Sequence, residues 1–286
     1  MKKQIALIGT LVVLLNYAAK AQFSIGINGG FQGLKYSLTD GKNAIKPGMG
    51  IDVGFTKPFK NKHWAIFTGV GANYYSTSAS LNSGATVLAN QVDDMGGAFE
   101  YRVKSTSYNE SQRFIAVNIP VMLQLNTGSK EHSQWQVSAG AKLIMPLSSK
   151  AAASAQQLTL TGYYPDVNLE VANLPQHGFG TVNNWQGTAN YKLKPAIVLS
   201  AATGINFRLS GGKRLYAGIF VDKGINDMKK NTGSPVVSYN PTNINGTVAN
   251  SVLQTNNTRP INLLAAGVQV RLQLGNKKKN SRRQFL

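Results

Sequence analysis

The sequence predicts an all-β fold, an eight-stranded antiparallel up-and-down transmembrane β-barrel with short periplasmic turns and long extracellular loops. Eight segments alternate between apolar and small or polar residues, which is the period of a strand with two different faces. Several of these segments have at least the roughly 9–11 residues that a tilted strand needs to cross a bilayer. The connections alternate between short and long, as they do in outer-membrane barrels.

The N-terminus has the pattern of an export signal. Lys2 and Lys3 precede an apolar run from Ile5 to Leu15, and Ala19-Lys20-Ala21 is typical of a cleavage site. We therefore expect residues 1–21 to be a Sec signal peptide that is removed, and residues 22–275 to form the barrel. No later stretch stays apolar for the roughly 18 residues that a spanning helix requires.

Composition excludes several classes of site. The chain has 286 residues, no cysteine and a formal net charge of +19. Without cysteine it has no disulfide, no thiolate metal site and no lipid attached to an N-terminal cysteine. Basic chains often bind nucleic acid, but these cations are dispersed and the chain carries an export signal, so we expect no nucleic acid partner. No phosphate loop, zinc-protease motif or calcium motif is present, and we expect no metal and no cofactor.

The predicted strands follow one another along the whole mature chain. In order they cover residues 23–34, 47–59, 63–77, 113–126, 133–147, 194–209, 214–225 and 260–274. In the last one, the apolar parity from Leu264 to Leu274 is expected to face lipid and Arg271 to face inward. Proline removes a ladder hydrogen bond, so we expect Pro120 at a bulge and Pro146 near the outer end of the fifth strand.

The connections predict the orientation of the barrel. The short ones cover 60–62, 127–132 and 210–213, and the long ones cover 35–46, 78–112, 148–193 and 226–259. An even number of strands places both termini in the periplasm. The long connections are then extracellular, and their Asn, Ser, Thr, Gly and Gln content predicts solvated polar loops.

Aromatic residues at the segment ends favour a membrane barrel over the alternative of a soluble sandwich or lipocalin-like barrel. Two aromatic belts are typical of the two membrane interfaces. The residues expected near the periplasmic ends are Trp64, Trp135, Phe23, Phe59, Phe207 and Tyr216, and those near the outer ends are Tyr36, Tyr74, Tyr75 and Tyr191.

One strand resembles a known group of proteins. Residues 114–123 read Phe-Ile-Ala-Val-Asn-Ile-Pro-Val-Met-Leu, similar to the aromatic-x-x-x-Ile-Pro-Leu strand of the broad PorT-like group of Bacteroidetes outer-membrane β-barrel proteins. The final strand, with Gly267, Val270 and Leu272, resembles the signal read by the barrel-insertion machinery. The resemblance implies an integral protein of the Gram-negative cell outer membrane. It also implies contact with outer-membrane lipid and lipopolysaccharide, and the insertion machinery as a partner during assembly.

Five charged residues fall on the inward parity of the predicted strands: Asp52, Lys142, Arg208, Asp222 and Arg271. One interpretation is a polar lumen for a small solute or ion. The other is a paired, hydrogen-bonded interior plug, because buried charges must find partners. A barrel of eight strands is narrow, which favours the plug.

A basic tail at residues 276–286 follows the last strand and is expected in the periplasm. Its cations are Lys277, Lys278, Lys279, Arg282 and Arg283. They indicate either a solvated tail or docking to an anionic periplasmic or envelope protein partner, or to inner-leaflet headgroups.

The sequence predicts no catalytic site. His177 follows Asp166 and Glu170 in the third long loop, but no nucleophile motif accompanies them, and Asp93-Asp94 is expected to be solvated. The predicted function is a non-enzymatic scaffold that presents polar extracellular loops for surface binding or envelope-complex assembly. The alternatives are a narrow pore for small solutes or ions, a PorT-like secretion-system subunit and an outer-membrane lipid-modifying enzyme.

Overall fold

The computed structural model describes residues 22–60, 63–127, 133–230 and 233–274. Within these ranges the chain forms thirteen strands, and all pairings between them are antiparallel. The strands are β1 (Gln22–Lys35), β2 (Gly41–Ile45), β3 (Pro47–Pro58), β4 (Trp64–Leu81), β5 (Thr86–Val92), β6 (Ala98–Thr106), β7 (Asn109–Thr127), β8 (Ser133–Tyr164), β9 (Leu169–Val171), β10 (Gly180–Asn190), β11 (Ala196–Arg208), β12 (Arg214–Gly224) and β13 (Asn262–Leu274). No helix in the described ranges is both long and apolar enough to cross a membrane.

The strand pairings return to their starting point. β1 pairs with β3, followed in turn by β4, β7, β8, β11, β12 and β13, which pairs with β1 again. We call this closed set the ring. The predicted all-β antiparallel barrel is therefore confirmed, but the predicted number of strands is too low. β2, β5, β6, β9 and β10 all lie in segments predicted to be loops.

The ring buries its polar residues and exposes its apolar ones. Along β3, Asp52 and Thr56 are buried, whereas Met49 is 68% and Ile51 is 63% exposed. This arrangement is stable where the surroundings are apolar and the backbone hydrogen bonds are closed within the barrel. We call the exposed apolar zone of the ring the apolar band. Its outer limit is marked by Phe31, Met49, Ile115, Leu147, Ile197 and Val221, and its other limit by Phe55, Trp64, Trp135 and Phe207.

Glycines on the inward face leave room for side chains that reach in from neighbouring strands. A Cβ atom added to Gly26 would lie 2.5 Å from Oδ2 of Asp52, and one added to Gly71 would lie 2.7 Å from Nδ2 of Asn118. These distances are far below van der Waals contact. The small residues of the predicted inward parity are therefore required by the packing of the interior.

The two prolines behave differently from the prediction. At Pro120 the pairing of β7 with β4 is interrupted, but Thr68–Val121 on one side and Gly71–Asn118 on the other keep the same register. Pro120 therefore causes a gap in the ladder and no bulge. The bulge lies next to Pro146, where the register of β7 with β8 shifts. Because that bulge accommodates Pro146 within the ladder, β8 does not end there.

A second sheet continues outward from the ring. β8 has 32 residues, and its part from Ser148 to Tyr164 lies beyond the apolar band, a length of roughly 55 Å at 3.3 Å per residue. This part of β8 pairs with the outer part of β7, with β6, β9 and β10, while β5 pairs with β6 and β2 with the outer part of β4. We call these strands and strand parts the projecting sheet.

The last long connection, residues 226–259, packs against the inner face of the projecting sheet. Tyr239 contacts Phe99, Tyr101 and Phe179, with ring centroids 5.0, 5.5 and 5.4 Å apart. Val236, Val237, Ile244, Ala249, Val252 and Leu253 of the same connection belong to the buried core. The expectation of solvated polar loops is therefore wrong for these segments, because their sparse apolar residues converge into a common core. We call residues 226–259 the cap segment.

The outer aromatic belt is also not formed as expected. Tyr36, Tyr75 and Tyr191 are buried, because the projecting sheet and the cap segment cover them. At the opposite end Tyr216 is buried inside the ring, whereas Trp64 and Trp135 are 38% and 57% exposed. The position of an aromatic residue near a strand end does not determine which face of the strand it occupies.

Candidate functional site

The interior of the ring contains an ion pair between β3 and β13. Nε and Nη2 of Arg271 both lie 3.2 Å from Oδ1 of Asp52. The guanidinium also lies over the Phe67 ring, 4.1 Å from its centroid. Both charged residues are buried, and Gly26 between them in the sheet allows the side chains to meet across β1.

A second ion pair links β8 to β12. Nζ of Lys142 donates to both carboxylate oxygens of Asp222, at 3.0 and 2.8 Å. The ammonium lies 5.4 Å from the centroid of the Phe220 ring. Each of these two cations is therefore paired with a carboxylate and lies near an aromatic ring, which offsets part of the cost of removing it from water.

An amide network crosses the interior from β1 to β7. Nδ2 of Asn73 donates to Oδ1 of Asn28 at 3.0 Å and to Oε1 of Gln32 at 2.9 Å. Oδ1 of Asn73 accepts from Asn118 at 2.6 Å, and Gln32 donates to Asn28 at 2.8 Å. These side chains satisfy one another, as buried polar groups require.

The ion pairs and the amides surround a cavity of about 40 Å³, whose lining includes Asp52, Asn73, Lys142, Asp222 and Arg271. A water molecule needs about 10–15 Å³ of such space, so the cavity has room for about three or four waters. It is too small for an organic solute. The arrangement can solvate and hold an interior network.

Arg208 does not join the interior cluster. It is exposed, because it is the last residue of β11, directly before the connection to β12. Its cross-strand neighbour is Arg214, which donates to Gln134. The expectation that Arg208 belongs with Asp52, Lys142, Asp222 and Arg271 is therefore wrong.

The outer end of the ring is closed through a fully buried carboxylate. Oε1 of Glu110 accepts from Ser251 Oγ at 2.5 Å and from Gln112 Nε2 at 2.8 Å. Oε2 accepts from Tyr108 Oη at 2.7 Å and from the backbone N–H of Val252 at 3.0 Å. Ser251 and Val252 belong to the cap segment, so Glu110 joins β7 to that segment.

Electrostatics at this closure follow from burial. Desolvation raises the pKa of the Glu110 carboxyl, and its hydrogen bonds with Ser251, Val252, Tyr108 and Gln112 oppose that rise. Burial also raises the pKa of Tyr108 well above its ordinary value, and the nearby Glu110 carboxylate adds to the effect. The tyrosine therefore stays protonated and available as a donor.

A second anchor of the cap segment is a lysine. Nζ of Lys229 donates to the carbonyls of Thr255 and Thr258, both at 2.7 Å. Oδ1 of Asp227 accepts from the backbone N–H groups of Lys229 and Ile261, at 2.9 and 2.8 Å. Burial lowers the pKa of Lys229. The two ends of the cap segment are thereby tied to each other.

Comparison with known proteins agrees with the inverted burial of the ring. The family model described as "Outer membrane protein beta-barrel domain" matches residues 18–230. The chain belongs to this family. In outer-membrane barrels the apolar band is the surface that faces lipid.

Comparisons with curated proteins and with solved structures give no more detail than the family match. No curated protein matches this outer membrane β-barrel chain. Among solved structures, Ail, the attachment invasion locus protein of Yersinia pestis, is similar at 10% identity, over 88% of this chain and 99% of that one, with a TM-score of 0.26. A TM-score this low carries no argument.

The remaining residues singled out in the sequence lie outside the interior of the ring or outside the described ranges. The basic tail with Lys277, Lys278, Lys279, Arg282 and Arg283 lies outside the described residues, as does the predicted signal peptide. His177 ends a short 3₁₀ helix, Pro175–His177, in which no residue is buried. Glu170 accepts from Thr161 at 3.0 Å and pairs with Arg102 at 3.4 Å. Among the described residues no group of three or more His, Cys, Asp or Glu could hold a metal ion.

Asp93 has a structural role in the turn between β5 and β6. Its carboxylate accepts from the backbone N–H groups of Gly97 and Met95, at 2.7 and 3.0 Å, and from Tyr164 Oη at 2.9 Å. The hydrogen bond from Gly97, followed by that from Tyr164, lowers the pKa of Asp93. The expectation that Asp93 is only solvated is wrong, because it holds the hairpin closed.

Sequence reasoning missed the residues that close the ring. Glu110 and Ser251 are 141 positions apart, and neither lies in a motif. The available signal was indirect: Glu110 falls on the same parity as Gln112, Phe114 and Ala116, which is the inward parity of the predicted fourth strand. Extending that parity outward would have placed the carboxylate inside.

Proposed function

We propose that this outer membrane β-barrel protein is a non-enzymatic scaffold that displays a rigid projecting sheet at the cell surface for binding or for assembly with an envelope complex. In this proposal the eight strands of the ring span the membrane, and both termini lie in the periplasm. The supporting observation is that buried residues of the projecting sheet, among them Phe99 and Tyr101, belong to one buried hydrophobic cluster with residues of the ring and of the cap segment. Such a core gives the displayed surface one fixed shape.

The proposal is tested by site-specific photo-crosslinking in native membranes. A photoreactive residue replaces Leu88 or Lys104, both exposed on the projecting sheet, and Ile219, 59% exposed in the apolar band, serves as the matched control. We expect protein adducts from Leu88 or Lys104 and lipid adducts alone from Ile219. Absence of protein adducts from both projecting positions in correctly folded protein would overturn the display function.

A secretion-system subunit, as the PorT-like resemblance implies, is one form of envelope-complex assembly. The same adducts distinguish it, because the cross-linked partner would then be another envelope component with its own membrane or periplasmic domain. Deleting residues 277–286 tests whether the basic tail takes part. Retention of the partner at low salt after this deletion would exclude docking through the tail.

A narrow pore is the second candidate, favoured by the polar interior and its water-sized cavity. Our proposal predicts no single-channel current in planar bilayers, because two ion pairs and the cap segment close the ring. A current in the wild-type protein that changes in Arg271→Leu would support the pore. Equal currents in both forms, or none in either, would contradict a conducting lumen that includes Arg271.

The non-enzymatic part of the proposal is supported by the use of Glu170 in contacts with Thr161 and Arg102. The test compares outer-membrane lipids of a deletion strain complemented with wild type or with His177→Ala. Identical lipid profiles in all strains are expected. A modification that the wild-type protein restores and His177→Ala does not would show a lipid-modifying enzyme.

A further inference from the structure

Exposed cations mark the outer edge of the apolar band on most strands of the ring. Although Ile225 after β12 is exposed as well, the cations lie two to four residues beyond the side chains that mark the outer limit of the band: Lys35, Lys46, Arg113, Lys150, Lys194 and Lys223. That is about 7–13 Å along the strands, and long cationic side chains can reach back toward the interface. The headgroup region begins at the edge of the hydrocarbon core and is about 6 Å thick. These six residues are therefore at the level of the outer-leaflet headgroups.

Two of these cations are direct cross-strand neighbours. Arg113 on β7 is opposite Lys150 on β8 in the sheet, and both side chains are exposed on its outer face. Like charges in this position repel each other. The ion pairs in the described part of the chain use Arg102, Lys142 and Arg271 as cations, so no carboxylate separates Arg113 from Lys150. An anion between them would remove the repulsion.

Above this cationic pair the outer face carries mostly small or uncharged polar side chains, with Lys42 as a further cation at the groove. One cross-strand row contains Ala44, Ser78, Ser111 and Ala152. The next row outward contains Lys42, Ser80, Asn109 and Ser154. Together they line an open groove of about 470 Å³, within the range of about 300–1,000 Å³ that is typical of ligand sites.

The groove and the cationic pair are continuous. Ser111 is two residues from Arg113 along β7, and Ala152 is two residues from Lys150 along β8, a separation of about 7 Å. The groove offers hydroxyl and amide groups, which suit sugar hydroxyls. Glu110 also contributes to its wall, but its carboxylate is fully buried in the closure described above.

We propose that this surface binds a phosphorylated glycolipid of the outer leaflet, with a phosphate between Arg113 and Lys150 and the attached sugars in the groove above them. The apolar band brings the acyl chains alongside, so the ligand's three chemical parts match three successive zones of the protein. The proposal rests on the membrane orientation of the proposed function, but not on which partner the projecting sheet binds or on whether the ring conducts.

The test measures binding of rough lipopolysaccharide to the refolded full mature chain in neutral detergent micelles by isothermal titration calorimetry. Arg113→Gln with Lys150→Gln should weaken binding roughly 25-fold, since each cation near an anionic surface contributes about fivefold. Lys104→Gln with Lys230→Gln removes the same charge from exposed positions above the band and should change the Kd by less than about twofold. Dephosphorylated lipopolysaccharide should bind the wild type as weakly as the first double variant binds the phosphorylated form.

The groove is tested separately with Ser111→Trp, which fills it and leaves both cations in place. This variant should lose about tenfold in affinity for rough lipopolysaccharide and keep its affinity for lipid A without core sugars. Heat-dependent mobility on gels checks folding, and Lys150→Gln alone, with about a fivefold loss, replaces the double variant if that does not fold. Three results would overturn the proposal. They are equal affinities of the two double variants for rough lipopolysaccharide, an unchanged Kd in Ser111→Trp, and phosphatidylglycerol that competes for the wild type as well as lipopolysaccharide itself does. Loss of cross-linked partners from the projecting sheet would not affect it.

Discussion

The carboxylate of Glu110 on β7 accepts a 2.5 Å hydrogen bond from the hydroxyl of Ser251 in the cap segment. Two donors bind each carboxylate oxygen, and one of the four is the backbone N–H of Val252. A backbone donor cannot rotate away from its partner, whereas the hydroxyls of Tyr108 and Ser251 can. The contact between β7 and the cap segment therefore requires that both side-chain oxygens of residue 110 accept hydrogen bonds.

Replacing Glu110 with Gln should loosen the cap segment. The amide has one oxygen, so its NH₂ group would face either the N–H of Val252 or the side-chain donor of Gln112. One buried donor left unpaired costs about 1–3 kcal/mol. We expect faster proteolysis between residues 233 and 259 in the refolded protein, with the ring intact. Asp40→Asn, an exposed acid-to-amide control, should digest at the wild-type rate, and equal rates for both variants would contradict the role of Glu110.

Closure should also depend on pH through Glu110. Its pKa in the folded protein is raised above the ordinary value of 4.5, so the folded state binds the proton more tightly than the unfolded state does. The resulting stabilisation is fully present below about 4.5 and is lost as the pH rises through the raised pKa. The neighbouring Tyr36, Tyr108 and Tyr191 also have raised pKa values, so they stay neutral over this interval.

The measurement is the difference in thermal midpoint between the wild type and Glu110→Gln, followed between pH 4.5 and 8. Trp185 is a suitable fluorescent reporter, because its ring is buried and lies 6.5 Å from that of Tyr108. As the pH falls, the thermal midpoint of the wild type should rise relative to that of Glu110→Gln. A difference that does not change with pH, or that grows as the pH rises, would show that Glu110 does not titrate as described.

The strands of the ring could be predicted because their signal is local. Alternation along β3, with Met49 and Ile51 against Gly50 and Asp52, determines both the strand and its two faces. The projecting sheet could not be predicted in the same way. Its outer strand parts have mixed patterns, since one face is covered by the cap segment and the other carries small residues such as Ser111 and Ala152. The bulge next to Pro146 also lets β8 continue where proline predicts an end.

The same distinction applies to the candidate sites. Inward parity placed Asp52, Lys142, Asp222 and Arg271 on the correct face, but it could not pair them, since Asp52 and Arg271 are 219 positions apart. Parity failed for Arg208, because a residue at the strand end reaches solvent whichever face it occupies. Arg113 and Lys150 could not be recognised as neighbours from the sequence. The bulge next to Pro146 shifts the register of β7 with β8, and both residues lie beyond this shift.

Removing one member of the ion pair between Asp52 and Arg271 should lower the free energy of unfolding strongly, whereas replacing both with apolar residues should lower it little. Arg271→Leu leaves a buried carboxylate without its partner, and removal of one member of a buried pair costs about 3–5 kcal/mol. Asp52→Leu with Arg271→Leu removes both charges, and most of that stability should return. Urea unfolding of the barrel in lipid bilayers, measured for both single variants and the double variant, gives the coupling energy. A double variant as unstable as the sum of the two singles would show that the charges do not act as a pair.

Lys229 should hold the cap segment in a way that its neighbour Lys230 does not. Nζ of Lys229 donates to the carbonyls of Thr255 and Thr258, whereas Lys230 is exposed. Lys229→Met keeps the aliphatic length and removes the donors, leaving two partly buried carbonyls without this partner. Because a hydrogen bond from a charged donor contributes about 1.5–3 kcal/mol, amide hydrogen exchange at residues 252–261 should accelerate by roughly 10- to 100-fold. Lys230→Met removes the same charge from the same segment and should leave exchange unchanged, and equal exchange in the two variants would exclude Lys229 as an anchor.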